Sequence, residues 1–312
     1  LLAFWVFLTR GFDVVHACDP PDLIFLIALP YKLLFGKKFI FEHRDLSPEL
    51  FTVKFGKKNA WVKLLLLFER LSYRAADLVI VPNDSYREIA IGRNAFPPER
   101  VFVVRTGPKE SKIRGVKPKE NLFPGRKLIG YVGVVGPQEG LELLVDAAEH
   151  LVKRLKKEEV LFLVMGTGPA MDDVKRYAKE RGLYETHIKF LGYVPDEDMF
   201  STLAACHVCV NPDRVNEFSD RSTMNKVIEY MALGRPVVMF ETKEGRRSAG
   251  DAALYARPND PEDMAEKIAW LLEHPEEARK MGERGRERFE KLLKWELSVP
   301  ELLKAYEKVF GG

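Results

Sequence analysis

Asp220-Arg221-Ser222-Thr223-Met224-Asn225-Lys226-Val227-Ile228-Glu229-Tyr230-Met231-Ala232-Leu233-Gly234-Arg235-Pro236-Val237-Val238 is the most informative stretch of the chain. Met224, Val227, Ile228 and Met231 recur at helical spacing, so a helix over 223–233 has one apolar face. Ser222 or Thr223 suits its N-cap, Gly234 its end, and Pro236 opens a strand. Asn225 and Glu229 lie four residues apart and share a face. First-turn N–H groups and the Lys226 ammonium suit an anionic diphosphate. Glu229, one turn on, suits the hydroxyls of a ribose. The same spacing also fits a capped core helix whose Lys and Glu are merely solvated.

Upstream lie two glycine turns, each between a predicted strand and a helix. The first is Tyr131-Val132-Gly133-Val134-Val135-Gly136-Pro137-Gln138-Glu139-Gly140. The second is Met165-Gly166-Thr167-Gly168-Pro169. Glycines there let the backbone approach a phosphate, and the helix that follows offers free N–H groups. Many such turns only pack helix against strand. Two on adjacent strands mark the crevice in which open α/β sheets bind ligands.

Apolar runs and amphipathic stretches alternate throughout. In the first part strands are expected at 12–16, 38–42, 78–82 and 101–104, and helices at 23–34, 60–75 and 85–91. In the second part the strands fall at 128–132, 160–165, 188–191, 208–211 and 236–240. Helices fall there at 141–155, 170–181, 196–205 and 223–233, followed by tail helices at 261–273, 275–289 and about 300–310. This is the α/β pattern of parallel sheets covered on both faces. Between the two series, Pro108, Pro118 and Pro124 with several glycines and charges read as a linker. The division is 1–107 for the first domain, 108–126 for the linker, 127–292 for the second domain and 293–312 for a C-terminal helix.

A further constellation, Phe41-Glu42-His43-Arg44-Asp45, sits at a strand C-terminus, the edge where such sheets place reactive groups. His43 suits binding or orienting sugar hydroxyls with help from Asp45, and also fits a satisfied loop histidine. His16-Ala17-Cys18-Asp19 is a similar strand end, read as structural.

The chain has 312 residues, 46% hydrophobic and 30% charged, a balance that gives two ordinary globular domains enough core. A net charge of +3 is too small to argue for nucleic acid. Cys18, Cys206 and Cys209 form no even framework, which fits a reducing compartment. The C-x-x-C at 206–209 lacks the second pair that a zinc site needs and reads as part of a buried segment. The opening Leu1-Leu2-Ala3-Phe4-Trp5-Val6-Phe7-Leu8 is too short for a bilayer span, which takes about 20 residues. It also has no basic n-region. Its first residue is not Met, which suggests a chain cut at its N-terminus.

Together these residues resemble the GT-B glycosyltransferases, specifically the retaining enzymes called family four. The stretch 224–238 looks like that family's donor helix with its Ala-x-Gly-x-Pro-Val-Val turn. Val79-Ile80-Val81-Pro82-Asn83-Asp84-Ser85 and Arg100-Val101-Phe102-Val103-Val104-Arg105-Thr106-Gly107 look like the segment leading to the interdomain linker. The first glycine turn, Gly192-Tyr193-Val194-Pro195-Asp196 and the tail helices fall in the family's order. The resemblance implies two Rossmann-like domains facing across a cleft, the first of them incomplete, with its first strand and glycine loop absent. It implies a nucleotide-sugar (UDP- or GDP-linked) on the second domain and a glycan or lipid-linked acceptor on the first.

On that likeness Glu229 holds the ribose. Thr223, Asn225 and Lys226 meet diphosphate or sugar, and Gly133, Gly136, Gly166 and Gly168 line the donor. Tyr193 and Val194 lie beside the base, and His43 faces the transferred sugar. The last helix crosses back onto the first domain. No metal or other cofactor is implied, transfer retains the anomeric configuration, and the location is cytoplasmic. The basic, amphipathic Trp61-Val62-Lys63-Leu64-Leu65-Leu66-Leu67 is a candidate for peripheral contact with the inner face of a membrane, and fits better a core helix with a solvated Lys.

The sequence also departs from the family pattern. Its two glutamates stand eight positions apart, and eight before Glu229 is Arg221, which takes the catalytic position by register. The usual Arg and Lys around the first glycine turn read Val134 and Glu139. Gly-Pro-Gln after the first glycine and Ser-Thr-Met-Asn-Lys before the second glutamate resemble a subgroup linked with surface polysaccharide assembly. These departures keep two alternatives open: a non-catalytic nucleotide-sugar-binding protein, and a sugar-nucleotide epimerase of the same architecture.

Overall fold

The computed structural model describes residues 2–56 and 60–311. Leu1, the first residue of the apolar opening, lies outside them. The chain divides into two units, Leu1–Thr106 with Leu297–Gly312, and Gly107–Glu296.

The first unit carries a parallel sheet of β1 (Val14–Cys18), β2 (Lys38–Glu42), β3 (Leu78–Val81) and β4 (Val101–Val103), in the order β1-β2-β3-β4. β3 is buried along its length, as expected of a strand covered on both faces. The terminal helix Val299–Phe310 packs on β3 and β4 of this unit, and Tyr306 Oη shares a 2.7 Å hydrogen bond with His16 Nδ1.

The second unit is built on β5 (Lys127–Val132), β6 (Val160–Met165), β7 (Ile188–Gly192), β8 (Val208–Asn211), β9 (Val237–Phe240) and β10 (Ala253–Ala256). All its pairings are parallel and the order is β10-β9-β8-β5-β6-β7. The side-chain period of two splits each strand between two cores. Ile129, Tyr131, Phe162 and Val164 enter one cluster, and Leu128, Leu161, Leu163 and Met165 enter the other. Burying a side chain such as Phe162 is worth about 2 kcal/mol. Gly130 has no side chain because a Cβ there would stand 2.8 Å from Cys206 Sγ, where the Asp196–Ala205 helix ends on the sheet. Cys206 and Cys209 are fully buried free thiols of this second core.

Several differences from the sequence expectation have local causes. Residues 108–126 are part of the second unit: Ile113 is buried in its core and the Lys119 N–H donates to Ser201 O at 2.9 Å. Helix Ser47–Phe55 carries no clear apolar period, and helix Lys243–Ala249 is polar, held at its start by Thr242 Oγ1 accepting from the Gly245 N–H. The opening run forms helix Leu2–Arg10. β1 begins two residues later than expected because Val14 pairs with Lys38. Among the described residues, no helix is long and apolar enough to cross a membrane.

Candidate functional site

In the second unit the chain adds β6 and β7 on one side of β5, then returns to place β8 on the other. The C-terminal ends of β5 and β8 therefore form the topological switch point, where an open α/β sheet leaves a crevice. Three segments meet there. The turn after β5 carries Gly133, the loop after β8 carries Asp213, and helix Asn225–Ala232 brings Lys226. Lys226 Nζ lies 2.6 Å from Asp213 Oδ1 and 5.1 Å from the centre of the Tyr131 ring. A Cβ on Gly133 would stand 3.3 Å from Lys226 Cε. Asp213 escaped the sequence reading; its only signal was its place just beyond a strand, after Asn211-Pro212.

The helix begins later than its sequence suggests. Met224, in extended geometry, is the N-cap and contributes no capping side chain. Ser222 is not the cap, because its hydroxyl donates to Phe218 O at 2.8 Å and closes the turn Ser219–Arg221. Arg221 ends that turn, half-buried, and Thr223 and Asn225 flank the helix start. Val227, Ile228 and Met231 are buried, as the apolar stripe requires, while Met224 packs against the core from its edge.

Glu229 follows Lys226 by one turn and is half-buried. Burial first, and the Asp196 carboxylate second, push its carboxyl up to about 7, while Lys112 and Lys226 pull the other way. It is therefore a poorly solvated acceptor one helical turn from a cation.

The glycine turns are arranged differently from one another. Gly133 faces Lys226 and the Tyr131 hydroxyl, which donates to Val134 O at 3.0 Å. Gly136 lies under the side chain of Gln138. Gly140, at φ +64°, has the Pro212 carbonyl where a Cβ would go, which locks the β5 turn onto the β8 loop. The second turn packs behind the first. A Cβ on Gly166 would collide with Gly133 O, and one on Gly168 with Val135 O. The Gly133 N–H donates to Met165 O and the Val135 N–H to Thr167 O, both at 3.0 Å. Gly166 and Gly168 are thus required by turn-on-turn packing, and it is the first turn that borders Lys226. The Gly166 N–H donates to Gly192 O at 2.7 Å, tying in the segment that carries Tyr193, 78% exposed, and Val194, packed against the core.

In the first unit His43 follows β2 and Asp19 follows β1, at adjacent strand ends. The expectation that His43 faces a sugar meets a ring with no exposed surface. Its Nδ1 shares a 2.7 Å hydrogen bond with Tyr73 Oη, and its Nε2 lies 3.7 Å from Asp19 Oδ2 without a hydrogen bond. Burial, then the Arg93 guanidinium, lowers its pKa to about 3, so the ring is neutral. Arg93 itself is held by Glu49 and Glu69. As placed, the ring is enclosed by protein, with Nδ1 held by Tyr73. Asp19, read as structural, accepts the Arg44 and Asp45 N–H groups at 2.6 and 3.3 Å. Burial pushes its carboxyl up to about 8. Asp45 is half-buried, and burial raises its pKa too. Among the described residues, no three His, Cys, Asp or Glu side chains are grouped to hold a metal ion.

Comparison with known proteins agrees with this architecture. Residues 126–274 match the model of glycosyl transferases group 1, and residues 1–107 that of the glycosyl transferase 4-like domain. The O-antigen chain mannosyltransferase B of Escherichia coli is 30% identical over 211 residues, 65% of this chain and 53% of that protein. The MMP alpha-(1->4)-mannosyltransferase of Mycolicibacterium hassiacum is 25% identical over 97% of this chain and 72% of its own length. The D-rhamnosyltransferase of Pseudomonas aeruginosa is 27% identical over 60% of this chain and 46% of its own length. The chain spans about half the length of most of these curated relatives. Among solved structures, sucrose-phosphate synthase from Thermosynechococcus elongatus superposes with a TM-score of 0.81 at 20% identity, over 99% of this chain and 76% of that one. An Anabaena protein solved with UDP gives 0.78 at 16% identity, over 98% and 81%. These two share the fold.

Proposed function

We propose, from the premise that this chain belongs to the glycosyltransferases of GT-B fold, that it transfers a sugar from a nucleotide-sugar to a glycan acceptor. The carrying observation is the convergence of the Gly133 turn, Lys226 and Glu229 at the switch point of the six-stranded sheet. A diphosphate set against Lys226 and the start of its helix places a ribose within a turn of Glu229. Thr223 and Asn225 line the same helix start, and Tyr193-Val194 borders the base. In the reaction, Lys226 and the helix N-terminus stabilise charge that grows on the leaving diphosphate, the dominant contribution available to these residues. Asp213 holds the ammonium in place. UDP is the preferred nucleotide class by likeness to the Anabaena structure, with GDP the competing class.

Retention of anomeric configuration, a lipid-linked acceptor and a role in surface polysaccharide assembly extend this reading. They are supported by the family resemblance and by relatives named for O-antigen chains. No metal enters the proposed chemistry. Arg221, where the family pattern has a carboxylate, favours one second reading, a donor-binding protein without turnover.

Calorimetric titration of the chain with UDP-, GDP- and ADP-sugars, followed by transfer assays on the productive donor, tests both. Binding with transfer supports the enzyme. Binding without transfer or donor hydrolysis favours the second reading, and no binding across the panel refutes the donor site.

A further inference from the structure

At the opposite edge of the six-stranded sheet, the starts of three neighbouring strands carry Lys127 (β5), His207 (before β8) and Arg235 (before β9). All three line one cavity of about 450 Å³, whose other wall includes Leu271, Leu272 and Pro275. That volume falls in the range of small-molecule sites. We infer that this cavity binds a phosphorylated small molecule, the phosphate against Lys127, His207 and Arg235 and an apolar body against Leu272 and Pro275.

The polar groups are arranged for an acceptor-rich ligand. The Leu128 N–H donates to His207 Nδ1 at 3.1 Å, so the proton of the neutral ring sits on Nε2, a donor. Arg235 makes one long bond, to Cys206 O at 3.3 Å, and its enclosed Nε has no hydrogen-bond partner. Among the described residues neither Arg235 nor Lys127 is paired with a carboxylate. Glu283, the acidic residue of the lining, is engaged by Arg279. Burial, then Lys127, then Arg235 lower the His207 pKa, as expected where two cations crowd a third group.

A blander role exists for cations here, since helix C-termini end at this edge. Arg286 donates to Ala232 O in that way, and Arg235 does so in part. It leaves Lys127 and His207, both exposed at the cavity, unexplained.

The test uses the full chain carrying Lys226→Met with Asp213→Leu, which removes the proposed donor-site cation without stranding its partner, so that phosphates do not report on that site. The His207 imidazole resonance is followed against pH with phenyl phosphate, inorganic phosphate or phenol added, and affinities are measured by calorimetry. Phenyl phosphate is expected to bind and raise the His207 pKa, because an anion between the cations reverses their effect. Inorganic phosphate should bind more weakly, and phenol should not shift the ring. Lys127→Ala, a surface change, should weaken phenyl phosphate about tenfold. An unmoved His207 resonance at saturating phenyl phosphate, or a response identical in Lys127→Ala, overturns the site.

Discussion

Lys226 Nζ and Asp213 Oδ1 are 2.6 Å apart, with only 13% and 8% of the two side chains exposed. The pair joins the start of one helix to the loop beyond β8. A buried ion pair is weak evidence of net stability, but breaking it strands a charge. Lys226→Met is therefore expected to destabilise the second unit by about 3 kcal/mol. Lys226→Met with Asp213→Leu should recover most of that in urea denaturation while nucleotide affinity stays about tenfold or more below the native value. Native affinity in the double variant would remove Lys226 from the donor site.

Gly166, at φ +132°, has the Gly133 carbonyl where its Cβ would be. The obstacle is backbone and cannot rotate away. Gly166→Ala is expected to cost about 3 kcal/mol. Gly182, at φ +71° with nothing within 4 Å of its Cβ position, is the control; its Ala variant should cost about 1 kcal/mol. Equal losses in thermal unfolding would show that the turn-on-turn contact contributes nothing beyond backbone strain.

With its carboxyl pushed up to about 7, Glu229 loses its charge as pH falls through neutrality. A ribose diol donates to the carboxylate, so nucleotide affinity should rise with pH between about 6 and 8. Glu229→Gln should flatten that dependence and bind more weakly throughout. Calorimetry at three pH values decides; a slope that survives in Glu229→Gln places the titrating group elsewhere.

Asp19, with its carboxyl at about 8, holds its proton in the folded state at pH values where the unfolded chain has released it. The folded form then binds more protons, so stability falls as pH rises from about 4 to 8. His43, lowered to about 3, acts in the opposite sense below its ordinary value of about 6.5. The two slopes oppose one another up to about 6.5, and above it only that of Asp19 remains. Asp19→Asn should therefore abolish a decline in first-unit stability between pH 6.5 and 8, measured by denaturant titration. An undiminished decline in Asp19→Asn would show that Asp19 is ionised in the folded state.

The alternation of strands and helices that builds two parallel α/β sheets was legible in the chain itself. Parallel strands buried on both faces must be continuous apolar runs, and 160–165 could be little else. The stripe of Val227, Ile228 and Met231 fixed the helix that presents Lys226 and Glu229. Local pattern alone could not say which glycine borders Lys226 and which packs turn on turn, since Gly133 and Gly166 both follow strands and differ only in what faces them. Nor could it join Asp213 to Lys226, thirteen positions apart. It could not show that His43 is enclosed by Tyr73 and Tyr86, a matter of three segments meeting. Periodicity is a property of one segment and is written in its residues. Exposure, pairing and pKa belong to the space between segments, and only the folded arrangement sets them.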